Sequence, residues 1–262
     1  FDVARDIQRK ILPVKDPEFQ NLSVSSVFIP AFEVGGDYYD FFEINKNKLG
    51  FIIADVAGKG ISAAFIMAEV KGIFSSLSRM LESPKEILIK ANEILQDTLN
   101  KKNFVSALYG IIDFDKEIIR FARAGHCPAL LIRDNAVTAF KPSGIGLGLT
   151  NNELFKNHLE EIKIDLKESD TLVFYTDGIT EAQNKELEDF GDKRFTEILI
   201  KNANESVSQI TNEVIKDITL FSRNHFQYDD ITLVIFKLKQ KFNLIGEQEW
   251  QNSVPQSKTR VV

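Results

Sequence analysis

A carboxylate set at the end of a buried strand constrains this chain more than any other feature. The apolar run Phe51-Ile52-Ile53-Ala54 leads straight into Asp55, then Val56-Ala57-Gly58-Lys59-Gly60, then the apolar-periodic segment Ile61 to Leu81. That order reads as buried strand, carboxylate, tight loop and helix. A charge in such a place is costly unless something pairs with it, and a divalent cation shared with further carboxylates fits best. Three other stretches offer them. Gly35-Gly36-Asp37-Tyr38-Tyr39-Asp40 lies upstream, Tyr175-Thr176-Asp177-Gly178 follows the apolar run Thr171 to Phe174, and Tyr228-Asp229-Asp230 precedes Ile231 to Phe236. In the last two an Asp again sits where a strand meets a loop, and this repeated placement is the main sign of a site.

The chain has 262 residues, 44% of them apolar, enough for one large core, and a single domain is the expectation. A net charge of -6 and a pI of about 5.3 argue against a nucleic-acid binder, which needs a basic face. Cys127 is the one cysteine, so no internal disulfide forms and a reducing compartment is expected. No apolar run approaches the roughly 20 residues that span a bilayer, and the start lacks a signal-peptide pattern. The expectation is a cytoplasmic protein with no direct membrane insertion. A first residue Phe1 in place of Met suits a piece of a longer protein.

Taken in order, residues 3–12 place apolar side chains at 3, 4, 7, 11 and 12, one helical face, which Pro13 ends. This is either a docking helix or a regulatory, dimer-forming element. A strand is expected over 22–30, and two strands from Asp40 to Ala54 joined by the polar turn Asn45-Lys46-Asn47-Lys48. Helices follow at about 59–81 and 84–101, the second opened by Ser83-Pro84. Short strands at 104–113, 117–123, 128–133, 136–140 and 158–166 suggest a meander. Helices near 192–201 and 206–223 and a last strand over 231–238 complete the pattern. Residues 240–262 read as a polar tail or linker.

Four carboxylates from distant parts of the chain would repel if gathered without a counter-charge, and two divalent ions would cancel them. An all-oxygen set selects Mn²⁺ or Mg²⁺ over zinc, which would recruit His or Cys. Such a pair can activate a bridging water and hold a phosphoryl oxygen, which points to phosphoester hydrolysis with no side-chain nucleophile. Each motif also has a plain reading. Asp177-Gly178 alone is a turn, Asp229-Asp230 a solvated connection, and Gly35-Gly36 a bulge. His126 could be a catalytic acid, although a loop histidine satisfied by backbone groups is the commoner case. His158 and His225 have no partner pattern, and Lys59 lacks the spacing of a Walker phosphate loop.

Together these stretches resemble the bacterial SpoIIE/RsbU-type branch of the PPM (PP2C-like) metal-dependent protein serine/threonine phosphatases. The match runs in order over about residues 4–238: Ala4-Arg5-x-Ile7-Gln8 with Leu12-Pro13; Val34 to Asp40; Asp55-Val56-x-Gly58-Lys59-Gly60; Ala124-Gly125-His126-x-Pro128 to Leu131; Leu147-Gly148-Leu149; Tyr175 to Ala182; and Asp229-Asp230-Ile231-Thr232-Leu233. Each alone is weak, and seven in order are specific.

The resemblance implies an α+β fold, the α-β-β-α sandwich of two central, mostly antiparallel sheets flanked by helices, with a binuclear Mn²⁺/Mg²⁺ centre between the sheets. Residues 1–13 would form the regulatory and dimerisation helix, 14–239 the phosphatase domain and 240–262 the tail. Asp55 would bridge the metals, Asp177 and Asp229 would complete one of them, Asp37 would serve the other, and the Val56 carbonyl would add a ligand. Asp229 ranks ahead of Asp230, which remains a second choice. Gly36, Gly58, Gly60 and Gly178 would let the chain turn closely around the ions. Ile7, Gln8, Ile11 and Leu12 would carry regulation from an upstream sensor domain through the helices near Ile61 to Leu81. The implied substrate is the phosphoserine of a STAS-domain anti-sigma-factor antagonist in a partner-switching pathway. Ala57 stands where the eukaryotic PP2C branch has a His proposed as general acid, and that branch's phosphate-binding Arg near the first Asp is absent. Two readings from other classes remain. One is a nucleotide cyclase, prompted by Gly35-Gly36-Asp37, although Tyr38-Tyr39 replace the Glu-Phe of that signature. The other is a catalytically silent interaction module of the same fold.

Overall fold

The computed structural model describes residues 2–19, 21–99, 103–223 and 225–239. The expected tail over 240–262 lies outside these residues. Among the described residues, ten strands divide into two five-stranded antiparallel sheets. The first sheet has the order β1 (Leu22–Ile29), β10 (Ile231–Leu238), β9 (Thr171–Tyr175), β6 (Ala129–Arg133), β7 (Ala136–Phe140). In the second the order is β2 (Tyr38–Asn45), β3 (Lys48–Val56), β4 (Val105–Asp113), β5 (Ile118–Ala124), β8 (Glu161–Asp165).

Alternation of side chains along the strands builds the layers. On β9, Leu172 and Phe174 face the second sheet, while Val173 and Tyr175 face the helices α5 (Gly191–Lys201) and α6 (Val207–Phe221). On β10, Val234 and Phe236 join the inner core and Leu233 and Ile235 the outer one. Between the sheets the rings of Phe51 and Phe174 lie 4.6 Å apart and those of Phe51 and Phe236 5.0 Å apart. On the far side of the second sheet, α2 (Gly60–Leu77) and α3 (Pro84–Leu95) cover β2 to β5, so β3 is buried on both faces and reads as a continuous apolar run. The result is the expected α-β-β-α sandwich.

Several expectations change in detail. The strands after α3 do not form one meander: β4 and β5 stay with β3, β6 and β7 cross to the other sheet, and β8 returns to β5. A short helix, α4 (Asn152–His158), capped by the Asn151 side chain, precedes β8 where a longer strand over 158–166 was expected. Helix α3 ends at Leu95, ahead of the expected 101. Helix α2 is long and apolar enough to cross a membrane by length and composition, and its Met67, Val70 and Phe74 are buried against the protein. The first helix, α1 (Asp2–Ile11), turns Gln8 inward and Leu12 lies buried beyond its end, whereas Val3 is 73% exposed and Ile7 54% exposed.

Candidate metal centre

Antiparallel pairing brings the four Asp-bearing loops to one end of the sandwich. The start of one strand lies beside the end of its neighbour, so Asp37, just before β2, sits next to Asp55 near the end of β3, with Tyr38 opposite Ala54. In the other sheet Asp177 follows β9 and Asp229 precedes β10, and the Thr176 N–H donates to the Thr232 carbonyl at 3.1 Å. The two sheets are tied at Asp37. Its Oδ2 accepts hydrogen bonds from the hydroxyls of Thr176 at 2.7 Å and Thr232 at 2.6 Å. Neither threonine was singled out in the sequence. Thr176 directly precedes Asp177 just beyond β9, and Thr232 lies two residues after Asp230 at the start of β10.

Asp229 and Asp230 face different work. The Asp230 carboxylate accepts from the backbone N–H of Ala31 at 2.8 Å, Gly36 at 2.6 Å and Asp37 at 3.3 Å, pinning the first carboxylate loop. Asp229 Oδ2 lies 3.1 Å from Lys59 Nζ, which also donates to the Tyr228 carbonyl. The chain packs tightly here. A Cβ on Gly36 would stand 2.9 Å from the Val56 carbonyl oxygen, and one on Gly178 would collide with the Asp230 carbonyl. Gly58 (φ 116°) and Gly60 (φ 68°) turn the loop after Asp55 through left-handed backbone. Asp40, by contrast, points away and binds Lys71 of α2 at 2.6 Å and the Tyr38 hydroxyl at 2.8 Å.

The electrostatics are those of crowded, buried acids. Burial first, and then Asp55 and Asp230, hold the Asp37 carboxyl well above the usual carboxylate range, against the lowering effect of the two threonine hydroxyls. Burial, followed by Asp177, Asp229 and Asp230, pushes Asp55 up to about 7. Asp177 is raised by burial and by Asp229. Among the described residues, no group of three His, Cys, Asp or Glu side chains is arranged to hold a metal ion. The donor chemistry nevertheless fits hard divalent cations. The gathered carboxylates offer oxygen donors, burial and their mutual charge raise Asp37, Asp55 and Asp177, and the Val56 carbonyl is approached closely only because residue 36 is glycine.

His126 lies buried as a neutral ring. It is 5% exposed, its Nδ1 lies 2.8 Å from Ser106 Oγ, and burial with the nearby Arg123 charge brings its ring down to about 3, so it is neutral. His158 Nδ1 lies 2.9 Å from the Leu154 carbonyl, and His225 packs against Tyr228 with ring centroids 5.3 Å apart. Helix α1 does reach the site region. The Gln8 amide donates to the Gly35 carbonyl at 2.7 Å and accepts from the Gly35 N–H at 3.0 Å.

Residues 45–239 match the family described as Stage II sporulation protein E (SpoIIE). Phosphoserine phosphatase RsbU of Bacillus subtilis is 29% identical over 247 residues, covering 91% of this chain and 70% of that protein. Protein IcfG of Synechocystis sp. is 27% identical, covering 89% of this chain but 40% of that longer protein. The solved SiaA-PP2C domain of Pseudomonas aeruginosa superposes with a TM-score of 0.79 at 20% identity, covering 91% of this chain and 95% of that one, a likeness of fold.

Proposed function

Since the chain belongs to the SpoIIE family of PP2C-type phosphatase domains, we propose that it is a metal-dependent protein phosphatase acting on phosphoserine or phosphothreonine of a regulatory protein. The observation that supports this most is the gathering of Asp37, Asp55, Asp177 and Asp229 at one end of two sheets, with Thr176 and Thr232 joining the sheets through Asp37.

In this reading two divalent cations, Mn²⁺ or Mg²⁺, supply when bound the Lewis acidity that polarises the phosphoryl group and activates water. Asp55, with Asp177 and Asp229 from the facing sheet and Asp37 and the Val56 carbonyl on its own, would hold these ions. The threonine hydroxyls occupy one oxygen of Asp37 and so aim the other. Asp230 is taken up by three backbone N–H groups, which supports Asp229 as the ligand of the pair. Lys59 balances Asp229 and stands beside the place a phosphate would enter. With Ala57 and a neutral, buried His126 offering no acid, the leaving alkoxide takes its proton from solvent.

The substrate we propose is a phosphorylated STAS-domain protein in a partner-switching pathway, and a second copy of the chain is proposed to cover Val3 and Ile7 of α1. The reading is tested with p-nitrophenyl phosphate and phosphorylated STAS proteins in the presence of Mn²⁺. Turnover should vanish with EDTA and fall by about 10³-fold or more in Asp177→Asn. Undiminished activity in either case would refute it, and acceptance of other phosphoproteins in preference would refute the STAS substrate alone.

A further inference from the structure

A groove of about 700 Å³ opens beside the carboxylate centre, sharing Lys59, Gly178 and Asp229 with it. That size is typical of ligand sites. Its floor is aliphatic, with Ile215 and Ile218 of α6 and Ile231 of β10, and its lip is aromatic. Phe226 is 56% exposed and Tyr228 52% exposed, their rings edge-on at 5.5 Å, and Phe226 also meets the 40% exposed Phe32 at 5.9 Å. Exposed aromatics around an apolar floor are the composition of an interaction hot spot and not of a solvated rim.

We propose that this groove binds the chain flanking the phosphoserine of a protein substrate, seating a large apolar side chain two or three residues from it. The proposal rests on the phosphatase reading and adds to it a rule of substrate choice. Continuity with the centre and reach support the assignment. Ile231 is two residues from Asp229, a span of about 7 Å along extended chain, so a substrate extended from a phosphate at the centre places its second or third neighbour over the same floor. Charge supports a peptide occupant. Glu181 and Arg223 line the groove, both exposed, and neither makes an ion pair with the other described residues, so both stay available to the polar, mixed-sign flanks of a polypeptide.

The test uses the Mn²⁺-loaded protein and phosphoserine peptides in which one flanking position at a time is Leu, Phe, Ser, Gly, Lys or Glu. A preference of about tenfold or more in kcat/KM for Leu or Phe over Ser or Gly is expected at one position, two or three residues from the phosphoserine. Thr219→Arg, which fills the groove from an exposed position on α6, and Phe226→Ala should each erode that preference about tenfold, and lower peptide turnover more than turnover of p-nitrophenyl phosphate. Equal use of all peptides overturns the proposal. So does a preference that both variants leave intact, or hydrolysis of p-nitrophenyl phosphate with no peptide accepted. No hydrolysis of any substrate overturns the phosphatase reading, and this one with it.

Discussion

Adjacent carboxylates in one loop have separate duties. Asp230 satisfies three backbone N–H groups of the Ala31–Asp37 segment, so Asp230→Ala strands buried donors. At about 1–3 kcal/mol for each group left unmade, a loss of about 3 kcal/mol or more in urea unfolding is expected. Asp229 is more exposed, and among the described residues its side chain meets only Lys59 and the Asp230 N–H of its own loop. Asp229→Ala should change stability by less than about 0.5 kcal/mol while weakening Mn²⁺ binding in calorimetry. Equal effects of the two substitutions would show that the division of labour is wrong. The sequence could rank these two only through the family pattern, because adjacent carboxylates differ in direction and not in chemistry. The threonines that hold Asp37 were missed for a similar reason: a Thr in or just beyond a strand is ordinary β composition until the partner sheet is in place.

At the scale of elements, α1 is the part whose role was half legible. Its 3–12 periodicity showed an apolar face but not that Val3 and Ile7 would stay uncovered, nor that the polar Gln8 would be the buried contact. Gln8 grips both backbone groups of Gly35, one residue from Gly36 and two from Asp37. Gln8→Ala should therefore weaken Mn²⁺ affinity with the fold kept, by up to about thirtyfold if the whole of two net hydrogen bonds of about 1 kcal/mol each is felt at the metal site. Ile7→Asp should leave metal binding unchanged and convert a dimer to a monomer in sedimentation; a wild-type monomer would count against the proposed pairing. Strands and helices with strong periodicity, such as β3, β10 and α6, were readable from the chain. The sheet to which each short strand belongs was not, since β6 and β7 look no different from β4 and β5 until long-range pairing decides. The same holds for α4, whose seven residues give too little periodicity to separate helix from loop.

For the molecule as a whole, gathering acids at one end of the sandwich sets a dependence of stability on pH. Asp55 titrates at about 7 in the fold against 3.8 in a free side chain, so the folded state binds the proton more tightly. Its contribution is complete below about pH 4 and is lost as pH rises towards 7, about 4 kcal/mol at about 1.4 kcal/mol per pH unit before neighbours share the proton. Without metal, the protein should melt lower at pH 7.5 than at pH 5.5, and Mn²⁺ should raise the melting temperature more at pH 7.5. A Mn²⁺ effect equal at both would contradict the charge-compensation account. The Asp230 tie to Gly36 bridges 194 residues of sequence, and edge strand β1 is paired with β10. Contacts so distant form late, because long loops must close first. During synthesis from the N-terminus, the loop holding Asp37 therefore waits for its anchor until nearly all of the chain through β10 has left the ribosome. A nascent chain that ends short of β10 therefore holds its first carboxylate loop without the three N–H bonds that pin it.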